Sequence, residues 1–294
     1  MSEQTLFKRP ARKPAWLKRS LPNSPAFGKV STLISEQGLH TVCQEAKCPN
    51  QWECFAKQTA TFLIMGPACT RNCRFCAVEH HPSGPLDPEE PHKVARAVRS
   101  LGLRFAVITS VTRDDLPDGG ASCFSETIAR IRALSPGAMV EVLVPDFLGN
   151  PESLRIVLKA RPEVFNHNLE TVPRLYGQAR PGADYQRSLA LLHKAHELCP
   201  NIPTKTGLML GLGETEQEIR QTLKDCVHAG CRILTLGQYL QPTKGHLPVQ
   251  RYVSPEEFET WRTIALDIGF QVVASGPFVR SSYKAHSLFL QGKI

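Results

Sequence analysis

The stretch TFLIMGPACTRNCRFC, residues 61–76, decides how the rest of the chain is read. Its first half is a short apolar run closed by Gly66, the pattern of a buried strand. Its second half carries Cys69, Cys73 and Cys76 in C-x3-C-x2-C spacing. A strand that feeds directly into a cysteine loop presents its thiols at a strand end. Three thiols fall one short of the four ligands that a structural zinc ion or a closed four-iron cluster takes. The fourth position is either filled from far along the chain or kept open for a bound ligand.

Beyond this stretch the pattern alternates. Strands are expected over 104–111, 139–147, 164–171, 205–212 and 232–240. Helices are expected over 88–101, 122–134, 152–160, 184–198, 215–229 and 254–268. At the start of the last helix, Ser254 reads as an N-cap, Pro255 as the first helical residue and Glu257 as completing a capping box. Six units of strand and helix, with strands rich in Val, Ile and Leu, imply a parallel sheet. A closed eightfold barrel takes about 250 residues and two more units. An open doubly wound sheet and a partial barrel both fit six, and both put a site at the C-terminal strand ends. A last strand, QVVASGP (271–277), either seals an edge or pairs elsewhere. Residues 1–60 carry little strand pattern and read as an extension.

Composition sets the class. The chain has 294 residues, 41% hydrophobic and 21% charged, enough to bury a real core. No run of eighteen apolar residues predicts a membrane span, and no apolar leader precedes the basic N-terminus, so a cytoplasmic protein is expected. Lys8, Arg9, Arg12, Lys13, Lys18 and Arg19 face only Glu3, but Pro10 and Pro14 interrupt any amphipathic helix; this favours a basic arm over a transit peptide. The net charge of +8 favours an anionic partner. The basic residues are dispersed beyond residue 20 and form no nucleic-acid motif, so no nucleic-acid partner is expected. Ten cysteines without a secretory signal point to metal ligands rather than disulfides. Cys123, Cys199, Cys226 and Cys231 lie in or beside expected helices and read as small buried hydrophobes.

The other three cysteines form a second triplet, CQEAKCPNQWEC, with Cys43, Cys48 and Cys54 in C-x4-C-x5-C spacing. Soft thiolates select zinc, copper(I) or iron–sulfur clusters. Zinc loops usually present cysteines as C-x2-C pairs, and neither triplet does so. Pooling all six into zinc sites is the competing reading; two loops of three fit two four-iron clusters better.

Here the residues carry a resemblance. C-x3-C-x-aromatic-C, with Phe75 as the aromatic, resembles the signature of radical S-adenosylmethionine enzymes. The upstream triplet, KPAWLKR (13–19) and RSSYKA (280–285) together resemble the lipoyl synthase family, over nearly the whole chain. The resemblance implies a partial (β/α)6 barrel of the radical S-adenosylmethionine type over 61–270. It also implies an N-terminal extension (1–60) with the auxiliary cysteines and a C-terminal extension (271–294) that closes their site. It implies two [4Fe-4S] clusters and S-adenosyl-L-methionine. Cys69, Cys73 and Cys76 would hold the catalytic cluster, whose open iron takes the cofactor's amino and carboxylate groups and whose electron yields a 5′-deoxyadenosyl radical. Cys43, Cys48, Cys54 and Ser282, with Ser281 the nearest alternative, would hold an auxiliary cluster that gives up its sulfide. The activity implied is insertion of two sulfur atoms at C6 and C8 of an octanoyl chain on a lysine of a lipoyl carrier domain. The carriers would be 2-oxoacid dehydrogenase E2 subunits and the glycine cleavage H protein. A ferredoxin or flavodoxin donor and a cluster-repair protein are implied as further partners.

Other candidates are read from the strand ends. In VFNHNLET, alternation puts Asn166, Asn168 and Glu170 on one face and His167 and Leu169 on the other. Asn168 and Glu170 suit the hydroxyls and polar groups of a nucleoside. Arg187 and Ser188 open the following helix and suit a carboxylate. The glycine-rich loop TSVTRDDLPDGGA (109–121) resembles the family's loop that holds the cofactor's amino group, though Ala121 stands where that loop usually ends in an acid; the resemblance makes Thr109, Arg113 and Asp114 candidates. The glycines of GLMLGLGET (207–215) do not fit a dinucleotide fingerprint and suggest close approach or tight packing instead. His80 and His81 adjoin the cysteine loop, but three cysteines need no help from them.

Overall fold

The structure is a computed structural model that describes residues 13–18, 25–57 and 59–292. Arg19 and most of the basic arm lie outside the described residues. The strands in chain order are β1 (His40–Thr41), β2 (Thr61–Ile64), β3 (Ala68–Cys69), β4 (Glu79–His80), β5 (Phe105–Ser110), β6 (Met139–Leu143), β7 (Val164–Asn166), β8 (Thr204–Leu210), β9 (Cys231–Gln238) and β10 (Val272–Gly276). The helices are α1 (Pro25–Glu36), α2 (Val42–Glu45), α3 (Gln51–Ala56), α4 (Glu90–Ser100), α5 (Ala121–Leu134), α6 (Pro151–Lys159), α7 (Tyr176–Ala179), α8 (Tyr185–Leu198), α9 (Glu216–His228), α10 (Pro255–Ile268) and α11 (Ala285–Gln291). Among the described residues no helix is long and apolar enough to cross a membrane.

The main sheet runs β1-β2-β5-β6-β7-β8-β9-β10. From β2 to β10 every pairing is parallel, and β1 is antiparallel to β2. The six expected strands are all present, and 272–276 extends the sheet beside β9, which answers where the last strand pairs. The N-terminal segment adds a strand that its sequence hid, because two residues leave no period to read. Val30, Ile34 and Phe55 of that segment share one core with Phe62, Val98 and Phe124.

Two strands are shorter than expected. β6 stops at Leu143, because Pro145 has no N–H for a ladder and Asp146 caps the next turn through Leu148 N–H. β7 stops at Asn166, because the Val144 carbonyl that would continue the ladder is taken by the His167 ring at 2.8 Å. At α10, Ser254 accepts from Glu257 N–H as expected. The Glu257 carboxylate does not return to the cap; it accepts from Arg251 and Trp261 instead. A complete capping box belongs to α9, through Thr215 and Glu218.

The C-terminal segment occupies the barrel. After β10, the Val279 carbonyl passes so close over Gly237 that a β-carbon there would collide with it. Farther on, Leu288 and Phe289 of α11 pack among Phe105, Met139, Val164 and Val272, the first residues of β5, β6, β7 and β10. The helix therefore closes the N-terminal end of the barrel and leaves the C-terminal strand ends for the site.

Candidate functional site

The cysteine loop 69–79 leaves the end of β2 and is pinned from four sides. Thr70 N–H donates to Thr112 O, Arg74 N–H to Ala179 O and Leu247 N–H to Arg74 O, and the His246 ring meets Cys76 O at 2.8 Å. Cys69 Sγ accepts from two backbone N–H groups, Arg71 at 3.4 Å and Thr112 at 3.3 Å. Such donors stabilise a thiolate and tune a metal bound to it. Cys69, Cys73 and Cys76 all line one cavity of about 190 Å³.

A second, larger cavity of about 400 Å³ lies alongside. Cys43, Cys48 and Cys54 line it from the N-terminal segment, and Ser281 and Ser282 line it from the C-terminal one. The two segments bond each other there: Asn50 Nδ2 donates to Phe278 O at 2.7 Å, and Tyr283 Oη donates to Glu53 at 3.3 Å. The cavities share a wall built from Val42, Phe75, Cys76, Leu143, Asn168 and Glu170. The expected ligands of both triplets thus face one continuous region.

The thiols are buried. Burial, helped by neighbouring thiols, pushes Cys43 and Cys76 up to about 12 and Cys54 up to about 11, and raises Cys73. A metal would have to displace those protons. Among the described residues no three His, Cys, Asp or Glu side chains converge on a single ion. Three thiols and a serine hydroxyl on a cavity wall, and three thiols with N–H donors on another, suit the wider spread of a multi-iron cluster.

Asn168 and Glu170 sit where both cavities meet. Asn168 Nδ2 donates to Glu170 Oε1 at 3.0 Å and to Ser281 Oγ at 2.5 Å. Glu170 takes a left-handed backbone, φ +69°, uncommon outside glycine and here fixed by Glu170 N–H to Gly207 O and Met209 N–H to Glu170 O. Burial raises its carboxyl, partly offset by the Arg180 charge. Gly207 is small because a β-carbon would strike Thr235 Oγ1 and Asn168 Oδ1, the tight packing its sequence suggested.

Thr109 lines the smaller cavity, with its hydroxyl on Leu143 O. Arg113 turns to Asp115 and Gly84 O, and Asp114 to Arg71; neither lines either of these two cavities. Arg187 meets a carboxylate of the protein itself, Asp146, at 2.8 Å. Ser188 is fully buried on α8, and neither it nor Arg187 lines either of these two cavities. His80 is exposed on β4 and His81 follows it, also exposed. Asn166 points below the cavities, donating to Glu141.

Three features escaped the sequence. Arg71, inside the cysteine loop, is buried and binds Asp114 at 2.6 Å and Asp146 at 2.6 Å. Burial alone would raise the Asp146 carboxyl, but Arg71 and Arg187 hold it well below the usual range. Arg180 is buried beside Cys73 and Glu170, its Nη1 donating to Asn168 O, Leu169 O and Tyr176 Oη. His167 also reaches the smaller cavity, because regular alternation ends with β7. Arginines beside the cysteine triplet and in ARPG were the only available signals.

His167 carries a pH signature. Burial, then the nearby Arg180 charge, lowers it to about 4. The unfolded chain therefore takes up a proton near pH 6.5 that the folded chain refuses until about 4. Its contribution is complete above about pH 6.5 and is lost as pH falls toward 4, at most about 3 kcal/mol. Urea unfolding across this range should show the slope, and His167→Gln should flatten it; equal slopes would remove His167 as its source.

The radical SAM superfamily profile matches residues 63–226, more than half of the chain. A lipoyl synthase of Desulfotalea psychrophila is 58% identical over 96% of this chain and 94% of the relative. The chain belongs to the lipoyl synthase family. Another lipoyl synthase, from Caldanaerobacter subterraneus subsp. tengcongensis, is 57% identical over 93% of this chain and 96% of the relative. The fold recurs at low identity. Streptococcus suis SuiB bound to precursor peptide SuiA gives a TM-score of 0.56 at 10% identity, over 85% of this chain and 52% of that one. Methylornithine synthase gives 0.52 at 13% identity, over 85% and 82%. Lipoyl synthases thus share their barrel with enzymes of quite different sequence.

Proposed function

We infer that this protein makes lipoyl groups, inserting sulfur at C6 and C8 of an octanoyl chain carried on a lipoyl domain. The observation that carries the reading is the shared wall between the cavity of Cys69, Cys73 and Cys76 and that of Cys43, Cys48, Cys54 and Ser282. Methylene and methyl hydrogens are out of reach of any side-chain base, since environment shifts a pKa by about 3–5 units at the extreme. When bound, two [4Fe-4S] clusters and S-adenosylmethionine supply hydrogen-atom abstraction and the sulfur.

The chain's own residues bind, orient and exclude water. Cys69, Cys73 and Cys76 hold one cluster and leave a position for the cofactor; Cys43, Cys48, Cys54 and Ser282 hold the other. Asn168 and Glu170 orient the nucleoside, with Thr109 and Phe75 as further walls. Arg187 acts through Asp146 and Arg71 to fix the cysteine loop rather than by touching the cofactor, and Ser188 supports it from behind. Val42, Leu143 and Met209 keep water from the octanoyl chain. In this reading residues 1–60 and 271–294 are extensions that build the auxiliary site on the 61–270 barrel.

The carriers are octanoylated E2 subunits and glycine cleavage H protein, with ferredoxin or flavodoxin supplying electrons, a repair protein rebuilding the auxiliary cluster, and the cytoplasm as the compartment. Lys13, Lys47 and Arg280 line the larger cavity, on a chain of net charge +8, and suit an acidic carrier. Anaerobically reconstituted protein, given reductant, S-adenosylmethionine and an octanoylated carrier, is expected to yield lipoyl carrier and 5′-deoxyadenosine by mass spectrometry. Cofactor cleavage without a lipoyl product on any carrier would overturn the assignment. Carrier capture should weaken from 50 to 500 mM salt; capture indifferent to salt would remove the charge argument.

A further inference from the structure

His246 stands 170 positions from Cys76, yet its ring Nε2 meets the Cys76 carbonyl at 2.8 Å. A carbonyl oxygen only accepts, so Nε2 carries the hydrogen of this bond. The other ring nitrogen, Nδ1, takes the Thr243 hydroxyl hydrogen at 2.8 Å, and the same hydroxyl accepts from Gly245 N–H at 3.3 Å. The nitrogen that faces the cysteine is thus set by the bond that the other one makes. The ring is presented by a braced segment. Gln241 Nε2 donates to His246 O at 2.8 Å and Tyr239 Oη to Leu247 O at 2.7 Å, and both Tyr239 and Gln241 line the larger cavity. On its other side, Cys76 N–H donates to Cys73 O at 3.0 Å. The peptide planes before and after Cys76 are therefore both held, and a residue has only two soft backbone dihedrals between them. With both fixed, the direction of the Cα–Cβ bond is fixed too, and with it the reach of the thiol.

We propose that His246 is a positioning residue for the cluster held by Cys69, Cys73 and Cys76: it aims Cys76 and raises the cluster's reduction potential. This rests on the reading of Cys76 as a cluster ligand. Reduction adds negative charge to a cluster, and an N–H turned toward its ligand loop opposes that charge. Without the donor, the negative end of the Cys76 carbonyl is left uncompensated, and the electron is harder to add. The course of the loop does not depend on His246. Arg71 binds Asp114 and Asp146, Leu247 N–H donates to Arg74 O, and β3 pairs with β4 at the two ends of the loop. The loop therefore keeps its course and its iron when this bond is lost, and the change is read in the potential.

The test is a redox titration of reconstituted holoprotein followed by electron paramagnetic resonance. The signal that changes on addition of S-adenosylmethionine identifies the cluster of Cys69, Cys73 and Cys76. Two substitutions separate the aiming of Cys76 from the folding of the 241–247 segment. A glutamine amide nitrogen lies where His Nε2 lies and keeps a donor for Cys76 O. An asparagine amide oxygen lies where Nδ1 lies; it keeps the acceptor for Thr243 but does not reach Cys76. His246→Gln is expected to titrate like the parent. His246→Asn is expected to hold about eight irons, as the parent does, and to titrate about 30–60 mV lower, a three- to tenfold change in the ratio of reduced to oxidised cluster. Iron lost from His246→Asn but kept in His246→Gln supports the proposal in the same way. His246→Asn titrating like the parent, or both variants losing potential or iron equally, or His246→Gln falling below His246→Asn, overturns it, since a histidine that only folds its own segment favours asparagine. A parent holoprotein in which no signal responds to S-adenosylmethionine would instead overturn the functional reading beneath it.

Discussion

Replacing Cys43, Cys48 and Cys54 together with alanine is expected to halve the iron and sulfide content of the reconstituted protein, from about eight to about four of each. Cleavage of S-adenosylmethionine should survive, and lipoyl product should be lost. The separation is what the geometry argues. Those three thiols line only the larger cavity, whereas Cys69 and Cys73 line only the smaller one. The cysteine loop is also pinned by Thr112, Ala179, His246 and Leu247, none of them in the N-terminal segment. Removing the first triplet should therefore leave the second loaded. The reciprocal variant, Cys69→Ala with Cys73→Ala and Cys76→Ala, should keep about four irons and lose both activities. Lipoyl product at the parent level from the first variant would refute the sulfur-donor role.

Lys205→Met is the second large effect, and it concerns stability. Lys205 Nζ meets Glu141 Oε1 at 2.7 Å inside the barrel, with each side chain 1% exposed. Asn166 supplies Glu141 with one more donor at 3.1 Å. Removing one partner of a buried pair leaves an uncompensated charge and typically costs about 3–5 kcal/mol. Denaturant unfolding of Lys205→Met should show a loss of that size. The double variant Lys205→Met, Glu141→Leu should recover most of it, since two apolar groups of similar volume can replace such a pair. A single variant as stable as the parent would mean that water already reaches the pair.

The barrel was legible because its signal is periodic. Strand after strand of Val, Ile and Leu, each followed by an amphipathic helix, needs no tertiary knowledge to read. The cysteine triplets were legible because spacing alone carries ligand chemistry. What stayed hidden depended on contacts between distant residues. His40–Thr41 is too short to show a period. The end of β7 was set by a histidine ring on a carbonyl 23 positions away. Arg187 looked free to meet a ligand, and only the fold brings it to Asp146, 41 positions away. Glu257 had the spacing of a cap partner, yet Arg251 and Trp261 compete for its carboxylate.

The larger cavity joins residues that the ribosome makes far apart in time. Cys54 and Ser282 face one space, and 228 positions separate Asn50 from the Phe278 carbonyl that it binds. The smaller cavity is lined by nothing beyond Arg180, and the contacts described for its cysteine loop end at Leu247. A nascent chain therefore completes the surroundings of Cys69, Cys73 and Cys76 before those of Cys43, Cys48 and Cys54. Metal loading during synthesis has a natural order, with the first triplet in sequence the last to become a site.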